Sequence, residues 1–203
     1  MTERRLFVAV PLDEPALRTV TDLVERIRAD RERDAPGERD VRWVRMDGLH
    51  LTLRFIGPTL EERVSAVAEA VRRAGAGQET FEIEIDGGGS FPNPRRPRTL
   101  WLAVTDGTKE LAAIASAVNR ELVTAGWPVD ERPFRAHLTL ARSDGVPAGA
   151  DVGRRLAEAA AGIHVRSAAD RFVLFESITG GGPARYEPLE TVPLRLRPAA
   201  PAR

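Results

Sequence analysis

The chain carries the tetrapeptide His-Leu-Thr-Leu twice, at His50–Leu53 and again at His137–Leu140. At residue frequencies near ~5%, a given tetrapeptide recurs by chance in a chain of this length on the order of a few times in a thousand. The repeat therefore points to two related halves. Both copies read as strands, and a strand's side chains alternate between its two faces. His50 and Thr52 then share one face against Leu51 and Leu53, and His137 and Thr139 share one against Leu138 and Leu140. Each leucine pair needs a core behind it, so each strand is half-buried and presents an imidazole beside a hydroxyl on its other face.

Strand and helix signals alternate around the two copies. Leu6–Val10 is a compact β-prone run ended by Pro11, and Asp13 then caps a helix whose stripe is Leu17, Val20, Val24 and Ile27. A charged loop containing Pro36-Gly37 leads to strands at 41–44 and 49–56. Thr59 and Glu62 stand in capping-box spacing ahead of Val64, Val67 and Val71, and Gly75 and Gly77 stop that helix. Further strands are expected at 81–85 and 100–104, flanking a Pro/Arg-rich loop at 91–98. Thr108 opens a helix striped by Leu111, Ile114, Val118 and Leu122 and ended by Gly126. A strand at 134–140, a helix capped by Asp151, strands at 171–175 and 194–196, and a frayed tail at 198–203 complete the reading. The expected fold is α+β and bilobal. Two mostly antiparallel sheets with flanking helices, related by a pseudo-twofold, form one domain over 1–197 with a cleft between them. No glycine fingerprint of a dinucleotide fold follows the first strand.

Composition narrows the function classes. Thirty Lys+Arg balance 30 Asp+Glu, so no long-range field draws the protein to duplex nucleic acid or an anionic membrane, although local arginines can still grip a phosphate. The absence of cysteine removes disulfides, thiol catalysis and cysteine-ligated metal centres. The opening residues run into an apolar stretch too short for a signal-peptide core, so a cytoplasmic protein, monomeric and without membrane partner, is expected.

If the halves face one another, two His/Thr pairs can surround one tetrahedral group. Histidine titrates near ~6.5, so one imidazole can take a proton from water while the other gives one to a leaving oxygen. The threonine hydroxyls can donate to oxygens as charge gathers on them. A zinc site is the competing reading, but two histidines without His-x-His or His-x-x-x-His spacing leave the coordination incomplete. His164 has no threonine partner and reads as structural or exposed. Gly87–Gly89 and Gly180–Gly182 lack a P-loop lysine and read as turns.

These motifs resemble the two-histidine phosphoesterase superfamily, and within it the RNA 2′,3′-cyclic phosphodiesterases also named 2′-5′ RNA ligases. The resemblance rests on Arg5–Val10, on Trp43 ahead of Leu49–Leu53 and Phe55–Gly57, and on Phe91-Pro92 leading to Pro97–Trp101. It continues through Phe134–Arg142, Leu174–Ser177 and Tyr186–Leu189, with Ala136 where the family usually places proline. It implies that His50 gives a proton to the departing ribose oxygen, that His137 activates water, and that Thr52 and Thr139 bind the phosphate. RNA ends or cyclic nucleotides would be the substrate, the product a 2′-phosphomonoester, and no metal or cofactor would be required. Arg142 matches a family position that touches the phosphate or stacks on the base, but its parity is opposite to His137, so a bulge or strand end must turn it back. Phe55 matches a nucleoside-pocket position, while its parity groups it with the core leucines. Arg98, with Arg95 and Arg96, forms a basic loop that either contacts RNA or is a solvated surface. Two other functions stay open at this point: hydrolysis of small cyclic nucleotides or ADP-ribose cyclic phosphate, and phosphate binding without turnover.

Overall fold

The computed structural model describes residues 2–144 and 146–197, so the expected tail at 198–203 lies outside the described residues. In chain order the elements are β1 (Glu3–Pro11), α1 (Glu14–Asp34), β2 (Arg42–Trp43), β3 (His50–Leu60), α2 (Val64–Ala74), β4 (Phe81–Phe91) and β5 (Thr99–Asp106). Then follow α3 (Thr108–Thr124), β6 (His137–Arg142), α4 (Ala148–Ala159), β7 (Val165–Ala169), β8 (Arg171–Gly180) and β9 (Gly182–Pro193). The succession strand, helix, His-Leu-Thr-Leu strand occurs twice, as β1-α1-β3 and β5-α3-β6.

The α+β class holds, but the two expected sheets are one. The strands form a single antiparallel sheet curled into a half-barrel, in the order β7-β4-β5-β6-β3-β1-β8-β9, with β2 pairing β6. The seam between the halves is the β3–β6 contact, made at Leu51 and Leu138. Both leucines are fully buried, at 1% and 0% exposure. Covering both with one layer of helices brings the two strands side by side, and their pairing hides two sheet edges. The helices also cross the seam: α1 packs on α4 and β7, whereas α3 packs on β3 and α2. Each half thus roofs the other.

Local chemistry explains most boundaries. Asp13 caps α1 by accepting from the Ala16 backbone N–H at 3.0 Å, and its second oxygen accepts from Ala168 N at 2.8 Å, tying the helix to β7. The capping box at Thr59 does not form. β3 runs on through Leu60, Thr59 donates to the Gly57 carbonyl instead, and α2 starts without a side-chain cap. Strands β7 and β9 escape the sequence reading, which placed a strand at 194–196 instead. The sequence of β7, Val-Arg-Ser-Ala-Ala, has weak strand propensity. Strand β9 holds Pro183, Pro188 and Pro193, which an edge position tolerates because its outer N–H groups pair with nothing. Gly88 and Gly89 are strand residues and not a turn: a Cβ on Gly89 would lie 2.6 Å from the Trp101 ring, so glycine lets that indole lie flat across β4.

Candidate active site

The antiparallel pairing of Leu51 with Leu138 sets the register of the site. One residue to either side, His50 stands across from Thr139 and Thr52 across from His137, all four on the face opposite the buried leucines. Strand pairing on the flanks places Ala9 beside Thr52 and Ala103 beside His137, small side chains that leave space above the four.

Both motif strands carry the same irregularity. Ala9 pairs with Thr52 and Val8 with Arg54, so Leu53 has no partner on β1. Trp101 pairs with Thr139 and Leu100 with Ala141, so Leu140 has none on β5. Such a one-residue bulge flips the alternation beyond it. In β3 the flip buries Arg54 and turns out Phe55, which is 54% exposed. In β6 it buries Ala141 and returns Arg142 to the site face, where its guanidinium donates to Thr99 Oγ1 at 2.6 Å. The turn back that Arg142 needed is therefore present. For Phe55 the parity argument is overturned: it does not pack with the core leucines, because the bulge sits between them and it. Phe55 and Arg142 are equivalents, each five residues after its histidine.

The two imidazoles are held alike. His50 Nδ1 lies 2.7 Å from the Gly48 carbonyl and His137 Nδ1 lies 2.7 Å from the Arg135 carbonyl. A carbonyl only accepts, so each Nδ1 carries the proton that it donates, and each Nε2 is left to meet a substrate. Their surroundings differ. His50 lies against Phe7 at 4.8 Å and meets the edge of Tyr186 at 4.9 Å, and Phe175 stacks behind Phe7 at 5.3 Å. This burial pushes the His50 pKa down, and the bond to Gly48 opposes it only in part. His137 meets Phe91 edge-on at 5.3 Å, with Trp101 at 6.4 Å. Burial raises the Tyr186 pKa, and Arg142 from the other half of the sheet acts on that hydroxyl in the opposite sense. Tyr186 is thus a protonated phenol at neutral pH, on the same face as Arg142.

Beside Thr52 and His137 opens a cleft of about 480 Å³, bounded by Phe55, Phe91, α3 and the 130–135 segment. Buried Arg54 braces its floor, donating to Asn119 Oδ1 at 2.5 Å and to the Pro128 carbonyl at 2.6 Å, with Asp130 3.7 Å away. Asp130 is held down to about 2, chiefly by its hydrogen bonds from Arg132.

His50, Thr52, His137, Thr139, Phe55 and Arg142 therefore share one face around the seam. Arg98 does not join them: it is exposed on the 92–98 loop, outside the residues that bound the cleft, with no ion pair among the described residues. His164 is exposed too, 3.1 Å from Glu84. Among the described residues no three metal-ligating side chains gather in one place. Phe7, Gly48, Phe91 and Tyr186 are site residues that sequence reasoning did not assign. Tyr186 is the one tyrosine of the chain, but the prolines around it disguised its strand. Among the described residues no helix is long and apolar enough to cross a membrane.

Comparison with known proteins agrees with this architecture. Residues 12–180 match the family model of the 2′-5′ RNA ligase superfamily. The RNA 2′,3′-cyclic phosphodiesterase of Methanothermobacter thermautotrophicus is 38% identical over 70% of this chain and 72% of its own length. The enzyme of that name from Thermotoga maritima is 29% identical over 88% and 90%, whereas the match to the Aeropyrum pernix protein, 40% identical, spans 49% of this chain and 55% of that one. Among solved structures, Escherichia coli LigT complexed with 3′-AMP superposes with a TM-score of 0.68 at 29% identity, covering 95% of this chain and 99% of that one. A Thermus thermophilus protein reaches 0.73 at 24% identity, covering 94% and 98%. With the motifs paired across one seam and the family model spanning most of its length, the chain belongs to the 2′-5′ RNA ligase superfamily as a homologue of its RNA 2′,3′-cyclic phosphodiesterases.

Proposed function

We propose that the protein opens the 2′,3′-cyclic phosphate at an RNA end to a 2′-phosphomonoester, with weak 2′-5′ ligation when a 5′-hydroxyl takes the place of water as the nucleophile. The observation that carries this reading is the pairing of the two motifs: two imidazoles with Nδ1 pinned by carbonyls, each across from the other motif's threonine. In hydrolysis water attacks phosphorus while His137 Nε2 takes its proton. The P–O3′ bond breaks, and His50 Nε2 gives its proton to the departing O3′. Thr52 and Thr139 donate to the non-bridging oxygens, where negative charge builds. Arg142 meets the terminal nucleoside or its phosphate from one end of the site.

Burial of His50 favours its neutral form, so an acid role requires a proton taken up with the substrate. The anionic phosphodiester provides the opposite charge that makes this favourable. Product analysis on a cyclic-phosphate-ended oligonucleotide, with and without excess EDTA, tests the proposal. The expected product is the 2′-phosphomonoester, formed at an unchanged rate with chelator. Activity lost on chelation and restored by one added metal would replace the two-imidazole mechanism with a metal-assisted one, and binding without product would leave a nucleotide-binding module.

A further inference from the structure

We infer that Arg54, on the strand of the first motif, is the positioning residue for His137 in the second. This rests on the reading of His137 as the base that activates water. His137 Nδ1 is fixed by the Arg135 carbonyl, so the tautomer that leaves Nε2 open lasts only while that carbonyl stays in place. Arg135 lies at the end of the connection between α3 and β6, and among the described residues no hydrogen bond between backbone groups holds 128–135. Side chains fasten it instead. Arg54 Nη2 donates to the Pro128 carbonyl at 2.6 Å, and Nη1 donates to Asn119 Oδ1 on α3 at 2.5 Å. The same Oδ1 accepts from the Asp130 backbone N–H at 3.1 Å. Two donors converge on that atom, so it is the amide oxygen. The Asp130 carboxylate, which holds Arg132, stands 3.7 Å from Arg54. Pro133, with its fixed φ, and Phe134, packed against the core, carry this anchorage on to Arg135.

The second half has nothing equivalent. Arg54 follows His50 by four residues, and four residues after His137 stands Ala141, buried by the matching bulge but too short to reach a partner. His50 does not depend on such a brace, because the Gly48 carbonyl belongs to a 3₁₀ turn, Met46–Gly48, closed by its own bonds from Gly48 N to the Arg45 carbonyl at 3.2 Å and from Leu49 N to the Met46 carbonyl at 3.3 Å. As a core residue Arg54 contributes little. It is 6% exposed, its Nε has no partner among the described residues, and a buried guanidinium gains little net stability over an apolar side chain of its size. Its planar fork, however, holds a helix side chain and a loop carbonyl at once, which neither an apolar group nor a point charge can do. The acid histidine and the brace for the base therefore sit on one strand, β3.

The test reads the imidazoles themselves, in protein labelled with ¹⁵N at histidine. The chain has three histidines, so His50 and exposed His164 serve as internal controls. Neutral His137 in the wild type should be the Nδ1–H tautomer. Arg54→Met, and Asn119→Leu as a second variant should the first not fold, are expected to turn His137 into a mixture of tautomers and to leave the other two signals unchanged. They should lower turnover of a nucleoside 2′,3′-cyclic phosphate about 10- to 100-fold in kcat rather than in KM, the cost of misplacing a reacting group by about 1 Å. Asn119→Asp keeps an oxygen for both donors and should behave as wild type. A folded Arg54→Met or Asn119→Leu with the wild-type His137 spectrum or the wild-type kcat, or one in which His50 changes equally, overturns the positioning role. So does a loss in Asn119→Asp as large as in Asn119→Leu. If the wild type hydrolyses no cyclic phosphate while the His137 spectrum responds as expected, the cyclic phosphodiesterase reading falls and the positioning of His137 stands.

Discussion

Replacing Asp130 by asparagine should expose how the wall of the cleft is fastened. Asp130 sits in the connection between α3 and β6, paired with exposed Arg132 and with buried Arg54, and that connection ends at Arg135, whose carbonyl holds His137. A carboxyl that falls on folding from 3.8 to about 2 corresponds at most to about 2.4 kcal/mol, at ~1.36 kcal/mol per pH unit. The Asp130 side chain keeps 22% of its surface, and Arg132, its main partner, keeps 73%. Screening by solvent should cut the figure to roughly 1–1.5 kcal/mol. Since the folded pKa lies below the unfolded one, this stabilisation is complete well above 3.8 and is lost as the pH falls through about 2. About half should be gone near pH 3. Urea unfolding of wild type and Asp130→Asn at pH 7 and pH 3 measures it through the pH dependence of the gap, because asparagine retains an oxygen that can accept from the Arg132 backbone, loses the charge and the second oxygen that accepts from Arg132 Nη2, and does not titrate. A gap between the two proteins that stays the same at both pH values would refute the electrostatic account, as would a gap near zero at pH 7.

Gly48→Ala should lower kcat roughly 10- to 100-fold in a protein that still folds. Its Cβ would stand 2.9 Å from the Tyr186 ring, so either that ring or the carbonyl that holds His50 must move, and displacements approaching 1 Å cost about two orders of magnitude; wild-type kcat in the variant would show that the fit of Tyr186 on His50 is immaterial. Binding of an anion to the half-buried His50 imidazole should take up a proton. Calorimetry with sulfate in buffers of different ionisation enthalpy should therefore show uptake near neutral pH and an affinity that falls as pH rises, both reduced in His50→Gln. Uptake that persists in that variant would place the proton elsewhere.

Much of this site was legible because its chemistry repeats at short range. Alternation within each His-Leu-Thr-Leu segment is a property of any extended chain, so the sharing of a face by His50 with Thr52, and by His137 with Thr139, followed from the sequence before any partner strand was known. The stripes of α1 and α3 were legible for the same reason, with a period of 3.6 in place of 2. What lay beyond the fourth residue of each motif was not. Whether Phe55 and Arg142 face the core or the site depends on the bulges at Leu53 and Leu140, and those exist only relative to β1 and β5, the strands against which the count slips. The joining of the two expected sheets was likewise hidden, because the Leu51–Leu138 contact unites residues far apart in the chain and is imposed by helices that each cross onto the opposite half. Tyr186 reached His50 by the same route, on an edge strand whose prolines argue against a strand until an edge is available to hold them. Parity within a segment is a local property of the backbone, but register, edges and bulges belong to pairs of strands, and only the tertiary structure supplies the partner.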